Sequence, residues 1–457
     1  MWAPALDISE VIDVSSVLIV GGGVAGIQAA LDLAEQGIDV YLVDKAPSVG
    51  GKMAYLDKTF PTLDCASCIL APKMAALLRY PNIKLIMYSE VQEVSGRAGN
   101  FKVKILKKPT YVDWSKCNGC GVCTEKCPTK VPNEYNMGLS QRRAIYIMFP
   151  QAVPKRAVID AEHCMRLNPP PKAKEKAKGP LCGVCERNCP TKAIRYDQQP
   201  EIIELNVAAI IIATGMELYD PKNLPELGYG KHQNVYTNLE FERLVSATGP
   251  TNGEIVRKSD GKHPKRIAWI QCVGSRDVRF NHYCSAYCCM AATKQAILAK
   301  EHLPDVDCTV YYMDIRAFGK GFNEFVERAK KEFGVKYIRG KVVRIDEIPE
   351  TKNLRIVYED TAASYLKTEE YDMVVLSMAV RPNSKLNFPV ELTSDGFVQL
   401  KNPYLDPVST TVEGIFVVGA VAGAKDIPDS VTEASAAAAR AALIAKRLAC
   451  PTPEVVK

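Results

Sequence analysis

Apolar residues along this chain follow two rhythms. In SVLIVGGGVAGIQAALDLAEQGIDVYLVD, residues 16–44, an unbroken apolar run at Val17–Val20 is followed by apolar positions at Ile27, Ala30, Leu31, Leu33 and Ala34, and then by a second run at Val40–Val43. A short apolar run bounded by glycine reads as a strand buried on both faces; the wider spacing reads as a helix with one apolar face. Gly37 ends that helix. Further short runs occur in IIIATG (210–215), RIAWI (266–270), CTVYYMDI (308–315), MVVLSMAV (373–380) and GIFVVGAVAGA (414–424). An alanine-rich helix is expected over 431–448, opened by a capping box at Ser430-Val431-Thr432-Glu433. Strands alternating with helices in this way predict an α/β fold with largely parallel sheets.

Composition narrows the class. The 457 residues allow two to four domains, and 47% apolar content with 29 Gly and 29 Pro is ordinary for a globular chain. A net charge of +6 from 58 basic and 52 acidic residues is too modest for a dedicated nucleic-acid binder. No apolar run reaches the ~18 residues of a membrane span. The opening MWAPALDISE lacks a basic region followed by an apolar one, so a cytoplasmic protein without a secretory signal is expected.

The first unit carries candidate chemistry. Gly21-x-Gly23-x-x-Gly26 lies between strand and helix, and Asp44 closes the second strand. Glycines so placed permit a tight turn, close backbone approach to a pyrophosphate and helix–strand packing; the helix N-terminus attracts phosphate and the acid accepts ribose hydroxyls. VGGKM (49–53) and TVEGIFVVGAVAG (411–423) resemble elements of glutathione-reductase-type flavoproteins, which makes FAD the expected nucleotide. IIIATG resembles the turn by which such chains leave the FAD domain, and the C-terminal helix would aim its positive end at the flavin pyrimidine edge. Candidate FAD contacts are Gly21, Gly23, Gly26, Asp44, Lys45, Gly50, Gly51, Lys52, Met53, Ala213, Thr214, Gly215, Gly419, Ala420, Lys425, Asp426 and Ile427. Where that family has Gly-Asp, this chain has Gly419-Ala420, so a carboxylate toward the ribityl chain is missing.

The expected layout is an FAD-binding domain in three pieces (10–109, 201–254 and 391–457), an inserted domain at 110–200, and a region at 255–390 like the NAD domain of such reductases. After RIAWI the second region lacks Gly-x-Gly-x-x-Gly; only Gly274 remains, so no nicotinamide cradle is expected.

Sixteen cysteines remain, most of them clustered. In a reducing compartment, clustered cysteines bind metal or react. CNGCGVCTEKCP (117–128) is C-x₂-C-x₂-C-x₃-C-P, the bacterial ferredoxin run, and CGVCERNCP (182–190) repeats its end, with Cys164 upstream. The fourth cysteine of each run ligates the other cluster. One [4Fe–4S] cluster is therefore expected on Cys117, Cys120, Cys123 and Cys189, and a second on Cys127, Cys164, Cys182 and Cys185. In CVGSRDVRFNHYCSAYCCM (272–290), Cys272, Cys284, Cys288 and Cys289 suit one cubane, but their spacing leaves zinc or buried thiols open. Cys65 and Cys68 form a C-x-x-C that alone reads as a redox dithiol. Cys308 and Cys450 read as small buried apolar residues. RLNPPPKAKEKAKGP (166–180) reads as a solvated loop, with a docking patch for an acidic partner as the alternative.

FPTLDCASCILAPKM (60–74), the ferredoxin run, CVGSRDVRFNHYCSAYCCM and GAKDIPDS (423–430) together resemble the A subunit of heterodisulfide reductase, over nearly the whole chain. The resemblance implies FAD in a thioredoxin-reductase-like core and a third [4Fe–4S] cluster on Cys272, Cys284, Cys288 and Cys289. It also implies that Lys294 lies near flavin N5, where a cation stabilises anionic flavin; sequence alone reads Lys294 as an exposed helix lysine. Cys65 and Cys68 stay open between ligands of a further cluster, completed by an N-terminal extension, and a structural role beside the flavin. The implied activity is flavin-based electron bifurcation. An electron pair would arrive from a hydrogenase- or formate dehydrogenase-linked subunit; one electron would go to ferredoxin and the other to the disulfide-reducing B- and C-type subunits. A homodimer within a larger complex is expected. The sequence starts almost at the first strand and stops after the final helix, so a low-potential exit is expected to be missing or to belong to another subunit. Two other readings stay open: an NAD(P)H-dependent iron–sulfur flavin reductase, and a non-bifurcating relay or scaffold like the A subunit of quinone-interacting oxidoreductases.

Overall fold

The computed structural model describes residues 15–171 and 181–449; Cys450 and most of the lysine-rich loop lie outside them. In chain order the helices are α1 (Val24–Glu35), α2 (Ala66–Leu77), α3 (Val122–Lys126), α4 (Val184–Arg187), α5 (Asn238–Val245), α6 (Cys288–His302), α7 (Phe322–Lys331) and α8 (Ile427–Ala449).

Two seven-stranded sheets organise the chain. The first runs in the order 400–402, 406–410, 415–417, 209–212, 17–20, 40–44, 83–87. Val17–Val20 is central, parallel to both neighbours in the registers Val17↔Ala209 and Val17↔Val40. Alternate side chains of this strand serve different cores. Val17 and Ile19 pack under α1, α2 and α8, whereas Leu18 and Val20 pack against a three-stranded meander of Ser89–Arg97, Asn100–Lys107 and Glu201–Val207. A strand covered on both faces needs the continuous apolar run seen in the sequence. The α1 and α8 helices meet through small residues, Ala25, Ala29 and Ala30 against Ala434, Ala437, Ala438 and Ala441.

The second sheet runs 235–237, 373–378, 266–273, 307–312, 336–347, 354–360, 365–371, parallel through its first five strands and antiparallel thereafter. Its central strand, Arg266–Val273, places Ile267 and Trp269 against α5, α6 and α7 and places Ala268 and Ile270 on the opposite face. Trp269 is fully buried, as is Cys308 on the neighbouring strand. Met216–Leu218 pairs antiparallel with Val380–Pro382 where the chain crosses between the sheets.

Residues 108–200 are spliced into the meander. Asn100–Lys107 and Glu201–Val207, the strands on either side of this segment, pair directly with each other, Ile105 opposite Ile203. The segment carries α3, α4, two short two-stranded ladders and its own core, in which Cys123, Cys164 and Cys185 pack with Val112, Ile145 and Ile159. It also binds back to the first sheet's loops. Val49 N–H donates to Val153 O (2.9 Å), Val153 N–H to Ser48 Oγ (2.8 Å) and Tyr135 O–H to Ala54 O (2.8 Å).

One sequence expectation is corrected at α8. Ser430 lies inside the helix, its hydroxyl bonded back to Asp426 O at 2.7 Å. Asp426 is the N-cap: its Oδ1 accepts from Asp429 N–H at 3.0 Å. Glu433 does not close a capping box. Its carboxylate accepts from Gly419 N–H at 3.0 Å and pairs with Lys425.

Candidate functional site

The glycine loop is shaped by close backbone approaches. Gly21 has φ +114°, and a Cβ there would lie 2.2 Å from Ala213 O; a Cβ on Gly26 would lie 1.9 Å from Gly21 O. Gly23 is the α1 N-cap, and α1 has no side-chain cap and no acid in its first turn, leaving its first N–H groups to an outside acceptor. Across from it stands Gly51, φ +56°, whose Cβ would meet Gly23 Cα at 2.7 Å. Two bare backbones beside an uncapped helix N-terminus fit the pyrophosphate of FAD. Asp44 accepts from Gly22 N–H (2.5 Å) and Ala46 N–H (2.7 Å), and burial raises its carboxyl pKa against those hydrogen bonds.

The other candidate FAD contacts sit around this loop. Gly50 (φ +129°) precedes Gly51, Met53 is buried, and burial lowers the Lys52 ammonium pKa. Lys45 reaches Glu217 at 3.3 Å on the surface. Thr214 Oγ1 donates to Asn383 O (2.8 Å), tying Ala213–Gly215 to the crossing strands. Gly419 turns at φ +71° ahead of Ala420, and Lys425, Asp426 and Ile427 lead into α8. The absent Gly-Asp carboxylate has a neighbour in Glu433, which the sequence pattern assigned only to capping.

Lys294 is not an exposed helix lysine. It is 2% exposed on α6, with its Nζ 2.7 Å from Glu242 Oε1 and donating to Lys58 O at 2.7 Å. Gln295 Nε2 also donates to Glu242 Oε1 (2.7 Å) and Asp57 N–H to Glu242 Oε2 (3.2 Å). Glu242 was not legible in the sequence, because nothing in its local pattern marks a partner 52 residues away.

Eight cysteines of the inserted segment line two separate cavities. Cys117, Cys120, Cys123 and Cys189 wall the first; Cys127, Cys164, Cys182 and Cys185 wall the second. Each set therefore draws one cysteine from the other run. Burial and then the neighbouring thiols push the Cys123 thiol up to about 12. Burial also raises Cys189, but hydrogen bonds from Ala193 and Thr191 outweigh it and leave this thiol below its ordinary range. Four soft thiol donors around each apolar cavity fit a four-iron cluster, whose binding would displace the thiol protons. Among the described residues, no three Cys, His, Asp or Glu side chains converge tightly enough to share a single metal ion.

The third set lies at the carboxyl end of the second sheet's central strand. Cys272 turns there at φ +60°, in the region that favours glycine, and Cys288 and Cys289 open α6. Burial and then the adjacent Cys289 push Cys272 up to about 11; burial and then Cys272, Cys289 and Cys284 raise Cys288, so the four thiols share one surrounding. The Arg276 guanidinium pulls the Cys272 pKa down against that burial and pairs with Asp314 (Nη2–Oδ2 3.2 Å), and Arg316 N–H reaches Cys289 Sγ at 3.5 Å. Gly274, the last glycine of the expected nucleotide loop, lies against Tyr219, whose Cδ1 would be 2.4 Å from a Cβ. Four thiols with a cation and a backbone donor fit a cluster here as well.

Cys65 and Cys68 are joined by a disulfide, with Cα atoms 5.2 Å apart, so in this form neither is free to ligate a further cluster. Cys65 Sγ accepts from Cys68 N–H at 3.1 Å and caps α2.

Comparison with known proteins matches this architecture. Family models match for an FAD dependent oxidoreductase at residues 16–57, a 4Fe-4S binding domain at 110–133 and a pyridine nucleotide-disulphide oxidoreductase at 287–438. Thioredoxin reductases from T. acidophilum and Lactococcus lactis share the fold. Each has a TM-score of 0.52, at 16% and 14% identity, over 94% of this chain and 97% and 99% of theirs. Among the described residues, no helix is long and apolar enough to cross a membrane. The chain is 53% identical to an iron-sulfur A subunit of CoB–CoM heterodisulfide reductase from Methanopyrus kandleri, over 93% of this chain and 63% of that one. It is 48% identical to the A subunit of the H2:CoB-CoM heterodisulfide,ferredoxin reductase of Methanothermobacter thermautotrophicus, over 96% of this chain and 65% of that one. The chain thus spans just under two thirds of these relatives' length, and over that shared length it is similar to the A subunits of heterodisulfide reductases.

Proposed function

We propose that this chain is the FAD- and iron–sulfur-containing electron-transfer subunit of a heterodisulfide reductase-like complex. The observation that carries the reading is Cys272. At the carboxyl end of a central parallel strand, where open α/β sheets bind nucleotides, the chain turns through a left-handed residue bearing sulfur and is followed by two cysteines at the start of a helix. FAD, when bound, would link electron-pair to single-electron chemistry, and the clusters would carry single electrons. The chain's own residues hold and shield these groups. Gly23, Gly51 and the α1 N-terminus receive the pyrophosphate, Asp44 the ribose, and Gly419 with the start of α8 the flavin end. Lys294, held by Glu242 and Lys58 O, keeps a cation in the dry interior on the side proposed to face the flavin. Cys117, Cys120, Cys123 and Cys189, then Cys127, Cys164, Cys182 and Cys185, then Cys272, Cys284, Cys288 and Cys289 hold three [4Fe–4S] clusters.

The partners in this reading are B- and C-type disulfide-reducing subunits, a hydrogenase- or formate dehydrogenase-linked donor, and ferredoxin, with electrons split or relayed among them. Anaerobic iron, sulfide and flavin analysis with EPR tests the site assignment: about twelve iron per FAD is expected from three Cys₄-ligated clusters, whereas about eight removes the third site. A pyridine-nucleotide-dependent flavin reductase is the competing reading, favoured by the second sheet. Gly274 packed against Tyr219 supports rejecting it; rapid bleaching of the flavin by NADH reinstates it.

A further inference from the structure

The two ferredoxin-type runs share CPTK, at Cys127–Lys130 and Cys189–Lys192, but their surroundings break the repeat. Seven residues past Cys189 stands Tyr196; seven residues past Cys127 stands Glu134. Tyr196 turns inward, lines the second cavity and brings its hydroxyl to 3.1 Å from Cys185 Sγ. Arg166 lies over its ring, 5.0 Å from the centroid, and reaches Cys182 O at 3.5 Å. Glu134 turns outward and is held by Arg142 at 2.5 Å. Among the described residues, the nearest equivalent on the first set is the Thr191 hydroxyl, 3.6 Å from Cys189 Sγ.

We propose that Tyr196 is a positioning residue that raises the reduction potential of the cluster on Cys127, Cys164, Cys182 and Cys185 selectively, giving the two clusters of the inserted segment different potentials. The inference rests on the proposed cluster assignment. A reduced cluster carries one more negative charge, and a hydroxyl donating to a ligating sulfur stabilises that charge, as does a nearby guanidinium. Tyr196→Phe removes the donor and keeps the ring under Arg166.

The test is an EPR-monitored redox titration of the holoprotein and its variants. Cys120→Ser identifies the signal of the first set. Tyr196→Phe should lower the midpoint of the other ferredoxin-type signal by up to a tenfold change in its one-electron equilibrium, about 59 mV, leaving the first set and the Cys272 set in place. Arg166→Gln, which keeps the hydroxyl, should move the same signal in the same direction. An unchanged midpoint in Tyr196→Phe, an upward shift, or a shift of the Cys120-sensitive signal overturns the inference while the cluster assignment stands. Failure of anaerobically prepared wild-type protein to hold iron overturns the assignment instead.

Discussion

Lys294 and Glu242 meet at 2.7 Å inside the molecule, each 2% exposed, and join α6 of the second sheet to α5. Lys294 also donates to Lys58 O, and Glu242 accepts from Asp57 N–H, so the pair ties the second sheet to the loop between the flavin-binding turn and α2. Breaking a buried pair by removing one partner strands the other charge, at a cost of about 3–5 kcal/mol. Lys294→Met should lower the unfolding free energy in urea by that amount, and adding Glu242→Gln should recover much of it. A double variant no more stable than Lys294→Met refutes the coupling.

Glycine is required unequally. Gly26→Ala puts a methyl 1.9 Å from Gly21 O and must part α1 from the first strand, so flavin bound per chain should fall severalfold. Gly37, at φ +77° with nothing within 4 Å, should accept alanine at about 1–2 kcal/mol of backbone strain with flavin retained. Flavin absorbance per chain and thermal unfolding separate the two outcomes.

The fourth cysteine of each run faces the other run's set. Cys189→Ser should therefore abolish the same EPR signal as Cys120→Ser, and Cys127→Ser the same signal as Cys182→Ser. Pairing of Cys189 with Cys182 would contradict the cavity walls.

Asp277 sits in the loop between Cys272 and Cys284. Its hydrogen bond from the Arg279 guanidinium, against partial burial, holds its pKa down from 3.8 to about 2. A carboxyl whose folded pKa is depressed stabilises the fold above the unfolded pKa, and that contribution is lost as pH falls through the folded one. Wild-type protein should lose this stabilisation between about pH 4 and pH 2, and Asp277→Asn should flatten that limb of the unfolding curve. An unaltered acid limb shows that the Arg279 contact contributes nothing.

The elements most legible in the sequence were those fixed by local spacing. Gly21, Gly23 and Gly26 between two apolar runs specify a strand–turn–helix, and two ferredoxin runs with Cys164 specify which cysteines share a cavity. What escaped depended on distant partners or on competing local signals. Lys294 on a helix reads as solvated until Glu242 and Lys58 O meet it. Ser430-x-x-Glu433 satisfies the capping pattern, but Asp426 caps earlier, and Pro428 is tolerated in the resulting first turn. Tyr196 follows its run with no marker of the direction its side chain takes, which depends on the Cys185 cavity.

The inserted segment leaves and re-enters the meander through two strands that pair with each other, and it is fastened again at Val49–Val153 and Tyr135–Ala54. An appendage clamped at both covalent ends and along its flank has no arm on which to swing. The gap between the flavin-binding turn and the first cysteine cavity is thus built into the backbone. Electron exchange across it should not wait on domain diffusion, and its rate should be indifferent to added viscogen.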